Sequence, residues 1–250
     1  MRFPIQASWQ TLAGIAQLQE RLRTEFPIME RQQVTQLAIS IGPSVSAIPN
    51  EDLVNWQFQS DDGHGLLLEP GSATLSAGSS YANVDRFEHL FKIVLNSLTE
   101  VGPLPRCDRL GVRYLNLVNV VPGDDDSWKG WFRSELVGWV GAGVLGEQTQ
   151  LSSSLTQTQL AAPNAGGDAI QGIVHHGLLP AGVTMAGVPP IQVETPSFLL
   201  DIDLFVPTPQ AFEVERLLAQ FRELHEEIER FFRWSLTPAG EEHFALEVTT

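Results

Sequence analysis

Two stretches with helical periodicity separate blocks of short, strand-like segments in this sequence. Residues 84–101 place apolar side chains on one stripe, and residues 210–234 form a second amphipathic stretch with a continuous apolar face. Each stretch follows four strand-like segments bounded by Gly, Pro or Asp turns. Strands joined by short turns pair antiparallel. We therefore predict an α+β fold in which a twisted antiparallel sheet packs under two long helices.

The predicted elements recur in a similar order along the chain. The predicted strands are residues 34–41, 55–60, 66–69, 72–77, 109–121, 148–160, 169–179 and 198–206. Further helices are expected over 8–25 and 128–140, and a Gly/Pro-rich loop over 180–190. The recurrence of four strands and a helix hints at two pseudo-repeated halves, although no residue-level repeat supports it. Because no long structureless linker divides the chain, we expect residues 1–250 to form a single α+β domain.

The charge distribution disfavours nucleic-acid binding by much of the surface. The chain has 15 Lys and Arg against 30 Asp and Glu, which gives a net charge of −15. Residues 134–215 contain no Lys or Arg, whereas a protein that grips a phosphate backbone needs a basic stripe. This acidity suits either simple solubility or a protein partner, which could carry a basic surface.

The sequence favours a cytoplasmic protein that does not enter a membrane. The N-terminal residues Met1-Arg2-Phe3-Pro4 lack the apolar run of a signal peptide. The longest apolar stretch, residues 137–145, is too short to span a bilayer. Cys107 is the single cysteine, so an internal disulfide and a multi-cysteine metal site are excluded.

Several motifs have the letters of a functional site without its context. Residues 141–146 match GxGxxG, but a polar strand-like segment follows where a dinucleotide site needs a helix. His175 and His176 are adjacent in a predicted strand and should point to opposite faces, so they cannot chelate one metal. His225 and Glu229 are four residues apart on the last helix, but no third zinc ligand is evident. We therefore expect no metal and no cofactor.

The remaining candidates are charged and polar residues on two predicted strands. Arg109 and Arg113 share one strand face, and a structural ion pair with acids is the favoured interpretation. Asp201 and Asp203 also share one face, a geometry that can hold Mg²⁺, although an edge or solvent-facing strand is the simpler reading. Arg106 and Arg109 lie near Cys107 and would lower the pKa of its thiol, but no neighbouring histidine offers a base.

Residues 109–116, with the sequence RLGVRYLN, resemble a sporadically distributed family of uncharacterised bacterial proteins. That family is marked by a strand of the form R-h-G-h-R-Y-h-N, where h is apolar. The similarity spans about residues 25–244. The family usually begins with a strand that contains a P-[IV]-x-E segment. In this chain that strand is incomplete, because Ala7 follows Gln6 where the family has Glu. Further matching segments are WQFQS at 56–60 followed by Asp62-Gly63, Tyr81, LDID at 200–203, and residues 231–237.

The resemblance implies structural roles for three residues of this strand and no established activity. It implies close backbone approach at Gly111, a buried or half-buried ion pair for Arg113 and backbone capping by Asn116. A patchy distribution among bacteria is associated with toxin neutralisation or phage defence.

We therefore expect a non-enzymatic binding or regulatory protein, such as an immunity or phage-defence accessory protein, that docks a protein partner through an acidic surface. The alternative is a protein that senses or processes a nucleotide or RNA at a composite site. The candidate binding residues are Arg109, Arg113, Tyr114, Asn116, Asp201 and Asp203.

Overall fold

The computed structural model describes residues 1–34, 37–40, 46–49, 53–78, 81–120, 127–138, 151–163, 169–185 and 190–244. Within these residues it has six α-helices and antiparallel sheets, which confirms the predicted α+β class. The chain divides into two compact units. The first includes Met1–Arg109 and Pro209–Leu218, and the second includes Leu110–Met185, Pro190–Thr208 and Ala219–Thr250.

The first unit contains a four-stranded antiparallel sheet whose strands follow one another in chain order, β1-β4-β5-β6. Two short strand pairs, β2 with β3 and β7 with β14, accompany this sheet. The elements are a 3-10 turn (Ala7–Gln10), α1 (Leu12–Leu22), β1 (Ile28–Val34), β2 (Leu37–Ser40), β3 (Ser46–Pro49), β4 (Leu53–Gln59), β5 (Gly65–Glu69), β6 (Ser72–Ser76), α2 (Val84–Val101), β7 (Arg106–Cys107) and β14 (Gln210–Ala211).

Polar contacts fix the N-terminal segment of this unit on strand β4. The indole nitrogen of Trp56 donates a hydrogen bond to the carbonyl of Trp9 at 2.5 Å. The side-chain oxygen of Gln10 accepts from the Val54 amide at 3.0 Å, as a neighbouring strand would. Buried groups need such partners, so these bonds allow Trp56 to be almost fully buried.

The second unit contains a four-stranded antiparallel sheet in the order β8-β13-β10-β9. Helix α5 runs over Val214–Ser235, and its residues from Ala219 onward belong to this unit. The other elements are β8 (Leu110–Asn119), α3 (Ser127–Trp131), α4 (Ser134–Val137), β9 (Ser154–Pro163), β10 (Ala169–Leu179), β11 (Thr184–Met185), β12 (Ile191–Gln192), β13 (Ser197–Val206) and α6 (Pro238–His243).

The two faces of this sheet have different surroundings. Alternation along β13 directs Leu200 and Ile202 to one face, where both are fully buried. On the other face, the segment that carries β11 and β12 covers one end, where Leu179, Val193 and Leu199 form a buried apolar cluster. The remainder of that second face, which includes Arg113 and Asp203, is called here the open face.

Several element boundaries differ from the sequence prediction for local reasons. The helix expected over residues 8–25 is interrupted at Thr11, whose hydroxyl accepts from the amide of Gly14 and starts α1. The sequence predicts a strand that begins at Val34, whereas β1 begins at Ile28. The polar residues before Val34 belong to the strand because they pair with β4. Residues 128–140 do not form one helix, since α3 and α4 are separate and residues 139–140 lie outside the described residues. The expected loop over 180–190 includes the short strand β11.

Candidate functional site

Strand β13 brings the two candidate aspartates into register with an arginine and a histidine. Asp203 lies opposite Arg113 of β8, and Asp201 lies opposite His175 of β10. All four residues belong to the same face of the sheet because directly opposed residues share a face. Three of the six candidate residues, Arg113, Asp201 and Asp203, are therefore brought together on the open face.

Arg113 and Asp201 form a bidentate ion pair. The Nε atom of Arg113 lies 2.7 Å from Oδ1 of Asp201, and Nη2 lies 2.9 Å from Oδ2. The hydrogen bonds to Asp201 raise the pKa of the Arg113 guanidinium against the opposing effect of burial, and the negative charge of Asp203 adds to the rise. The guanidinium fork matches a carboxylate in this geometry, so the expected structural ion pair is confirmed.

His175 extends this pair into a chain of polar contacts across three strands. Its Nδ1 lies 3.3 Å from Oδ2 of Asp201, and its Nε2 lies 3.0 Å from Oε1 of Gln157 on β9. Asp201 is 3% exposed, so Arg113 and His175 together supply polar partners for a buried carboxylate. The sequence identified His175 but not its contact with Asp201, because the pairing of β13 with β10 was not predicted.

His176 points to the opposite face from His175, as the strand geometry predicted. Its Nδ1 lies 2.8 Å from the carbonyl oxygen of Leu136 in α4. Burial lowers the pKa of His176 despite this backbone contact. His176 also lines a cavity of about 270 Å³ whose lining includes Trp128 and Thr156.

Tyr114 and Asn116 lie on the face opposite the aspartates. The Tyr114 hydroxyl is 3.0 Å from Nδ1 of His225 on α5, and the two rings stack with centroids 5.7 Å apart. The side-chain amide of Asn116 donates to the carbonyl of Leu200 at 3.1 Å. The family resemblance implies backbone capping by Asn116, and here its amide bonds a carbonyl of the neighbouring strand β13. The six candidates therefore do not line one site.

Arg109 is separated from the other candidates because it precedes β8 and belongs to the first unit. Its carbonyl accepts from the amide of Arg2 at 2.7 Å, in an isolated antiparallel bridge. Its sequence neighbour Cys107 is fully buried in β7, and burial raises the pKa of its thiol. The expectation that nearby arginines lower this pKa was wrong, because desolvation outweighs them and Arg106 pairs with Asp108 at 2.6 Å.

The other motifs do not assemble a metal site where the structure describes them. His225 lies 3.9 Å from Glu229, which also accepts from Arg233 at 2.8 Å. In the described part of the chain, no cluster of three or more His, Cys, Asp or Glu side chains is arranged to hold a metal ion. The GxGxxG motif at residues 141–146 lies outside the described residues.

No protein-family model matches this chain, and no curated protein matches it. The resemblance carried by the RLGVRYLN segment therefore stays a prediction. None of the helices in the described ranges combines the length and apolar character needed to cross a membrane.

Proposed function

We propose that this chain is a non-enzymatic binding protein that docks a protein partner on the open face of the second sheet. The observation that carries the proposal is the engagement of Arg113 by Asp201. Arg113 is the sole Lys or Arg within the four described strands of this sheet. Its charge is matched by a buried carboxylate, and Asp203 adds a further negative charge, so this face has little to offer a phosphate.

The open face has the composition of a surface that recognises protein. Gln159 and Gln171 are exposed there, and Ile173 and Phe205 are half-buried beside them. Amide side chains can donate and accept hydrogen bonds, and apolar atoms between them supply contact area, as in the mixed interior of protein interfaces. Asp203 favours a partner that presents a basic group at this position.

The alternative of a nucleotide- or RNA-binding site receives no support from this arrangement. A composite site would need Arg113, Tyr114 and the two aspartates around one ligand, but Tyr114 contacts α5 on the opposite face. Bidentate capture of a phosphate by the Nε and Nη2 atoms of Arg113 would require breaking its pair with Asp201. That exchange would leave a buried carboxylate without its cation, which is costly.

A more specific role follows only from the family resemblance. An immunity or phage-defence accessory protein would neutralise or escort a protein, which fits a docking function without catalysis. We propose this role, with a cytoplasmic location, as the biological setting of the open face.

The finer features of the fold also stay hypotheses. Each unit contains a four-stranded antiparallel sheet, and a long helix follows each set of strands, which favours two pseudo-repeated halves packed with two long helices. The strand orders differ, since β1-β4-β5-β6 follows the chain and β8-β13-β10-β9 does not. A shared origin would therefore require a rearrangement in one half.

The test compares partner capture by two matched variants, Gln171→Arg on the open face and Gln17→Arg on α1. Both glutamines are exposed, and both substitutions add one positive charge. We expect Gln171→Arg to weaken binding of the captured protein by at least about tenfold, while Gln17→Arg leaves it unchanged. Cross-linking should place the partner beside β10.

Two results would contradict the docking proposal. One is equal binding of the partner by Gln171→Arg and the parent chain. The other is a nucleotide that, with Mg²⁺, raises the melting temperature of the parent chain but not of a folded Arg113→Ala variant. That second result would favour the nucleotide alternative.

A further inference from the structure

Strand β9 forms a long and accessible edge of the second sheet. It comprises the ten residues Ser154–Pro163 and pairs with β10, and no second neighbour is present among the described strands. Every residue of β9 after Ser154 is exposed, on both faces of the sheet. The strand therefore buries little of its surface within its own chain, and the backbone groups along its outer edge are accessible to a further strand.

The composition of β9 lacks the usual protection of an edge strand. Natural edges are blunted by charged side chains, especially Lys, by Pro, or by short length. Residues 148–167 contain no charged residue, and Pro163 stands only at the end of the strand. Leu155 and Leu160 are 57% and 37% exposed and point to opposite faces.

We propose that the outer edge of β9 pairs antiparallel with β9 of a second copy of this chain. The inference does not depend on the proposed function, because pairing at an edge leaves the faces of the sheet accessible. The result would be one continuous sheet of eight strands across the dimer, four from each copy. Antiparallel pairing centred on Gln157 would align residues 154–160 of the two copies and add about seven backbone hydrogen bonds, or about one per residue pair.

Charge favours an identical strand as the occupant. A basic partner would be drawn to the acidic surfaces of a chain with a net charge of −15, whereas β9 offers such a partner no opposite charge. Like charges that face each other across two strands destabilise the pairing. When β9 pairs with its own copy, no charged residues face each other. Pairing centred on Gln157 also places Thr156 of each copy opposite Thr158 of the other, a favourable cross-strand combination.

The dimer should respond to salt in the opposite way to one held by ion pairs. The pairing strands are uncharged, but each copy carries a net charge of −15. Long-range repulsion between the copies opposes association, and added salt screens it. We therefore expect dimerisation to strengthen as the salt concentration rises, whereas a dimer held by ion pairs would weaken.

Sedimentation equilibrium of the full chain tests the proposal. The parent chain should approach twice its 27.5 kDa mass with increasing concentration, and its apparent dissociation constant should fall between about 0.05 M and 0.5 M NaCl. The double variant Leu155→Lys/Thr158→Lys should weaken the dimer by at least about tenfold, because two cations on each copy would crowd one edge. The matched control, Ala16→Lys/Gln17→Lys, adds the same two cations at exposed positions of α1 and should dimerise like the parent chain.

Circular dichroism and hydrogen exchange complete the experiment. The double variant should retain the far-ultraviolet spectrum of the parent chain, since both substituted side chains are exposed. Amides of β9 in the parent chain should gain protection as the protein concentration rises. A parent chain that stays monomeric at about 100 μM in 0.5 M NaCl would overturn the proposal. So would a dimer that the double variant leaves intact, or one that salt dissociates.

Discussion

Asp201 and Arg113 differ in their access to water, and this difference makes their ion pair asymmetric. The Asp201 side chain is 4% exposed, whereas the Arg113 side chain is 37% exposed. If Arg113 is removed, the carboxylate stays buried, and His175 is its remaining side-chain partner among the described residues. If the Asp201 charge is removed, the guanidinium can turn toward solvent. Removal of Arg113 should therefore lower the free energy of unfolding more than removal of the Asp201 charge.

The corresponding prediction compares Arg113→Met with Asp201→Asn. At neutral pH we expect Arg113→Met to lower the free energy of unfolding by about 2 kcal/mol, less than for a fully buried pair because Arg113 is partly solvated. Asp201→Asn should cost about 1 kcal/mol, since asparagine can still accept a hydrogen bond from Arg113. Urea unfolding measures both values. An equal or larger cost for Asp201→Asn would show that the carboxylate does not depend on its cation.

The turn between β4 and β5 concentrates polar contacts on one carboxylate. The Ser60 hydroxyl, His64 and Arg86 all contact Asp62, and these contacts hold its pKa well below the ordinary value of 3.8. Arg86 also pairs with Glu25 at 3.0 Å, so the turn is connected to the segment after α1. The aspartate thereby links a hairpin to a helix within the first unit.

Asp62 should accordingly contribute to stability in a pH-dependent way. A carboxylate whose pKa is lowered in the folded state contributes fully above its unfolded pKa, and the contribution is lost as the pH falls toward the folded value. We expect the parent chain to lose more thermal stability between about pH 5 and pH 2 than Asp62→Asn does. Asp61→Asn, which changes the neighbouring exposed carboxylate, is the control. An equal fall in melting temperature with pH for all three proteins would contradict the prediction.

Among the elements, the contact between β9 and β10 depends on a glycine. Gly177 of β10 has φ +144, and a Cβ atom there would collide with the carbonyl oxygen of Ser154 on β9. Gly182 also has a positive φ, +87, but a Cβ atom there would meet no atom within 4 Å. The two glycines therefore share an unfavourable backbone conformation for other residues, and Gly177 adds a steric conflict between strands.

This comparison predicts different outcomes for Gly177→Ala and Gly182→Ala. Gly182→Ala should cost about 1–2 kcal/mol, the strain of a positive φ alone. Gly177→Ala should cost more and should separate the start of β9 from β10. Hydrogen exchange should show faster exchange of β9 amides in Gly177→Ala only. Unchanged protection of β9 in that variant would mean that the strands tolerate the side chain.

Local patterns predicted the elements and the antiparallel pairing of strands joined by short turns, but not the pairing of strands that are distant along the chain. The helix expected over 84–101 is observed at Val84–Val101, and the strand expected over 169–179 is observed at Ala169–Leu179. In both cases the signals are local: the apolar periodicity lies within the segment, and the turn residues that bound it are its direct neighbours. The Arg113–Asp201 pair joins residues 88 positions apart, through a strand order that does not follow the chain. An ion pair was expected for Arg113, whereas its partner, Asp201, could not be identified from local spacing.

For the whole molecule, the sequence leaves the number of cooperative units open. The expectation of a single domain rests on the lack of a long linker, while the structure shows two compact units. The first unit is built from segments that are separated along the chain, among them Met1–Arg109 and Pro209–Leu218, and the latter ends within helix α5. A unit built from separated segments cannot complete its fold until the later segment is in place. Cooperative unfolding of both units is therefore expected.

Two core substitutions, one in each unit, test this expectation. Leu18→Ala in α1 and Ile202→Ala in β13 each remove a fully buried side chain and should each cost about 2–5 kcal/mol. If residues 1–250 unfold as a single domain, both variants show one transition at a lower temperature, with calorimetric and van't Hoff enthalpies in agreement. If the units unfold independently, each variant splits the transition and leaves one component at the parental temperature. The calorimetric trace thus distinguishes one domain from two, because each substitution lies in the core of only one unit.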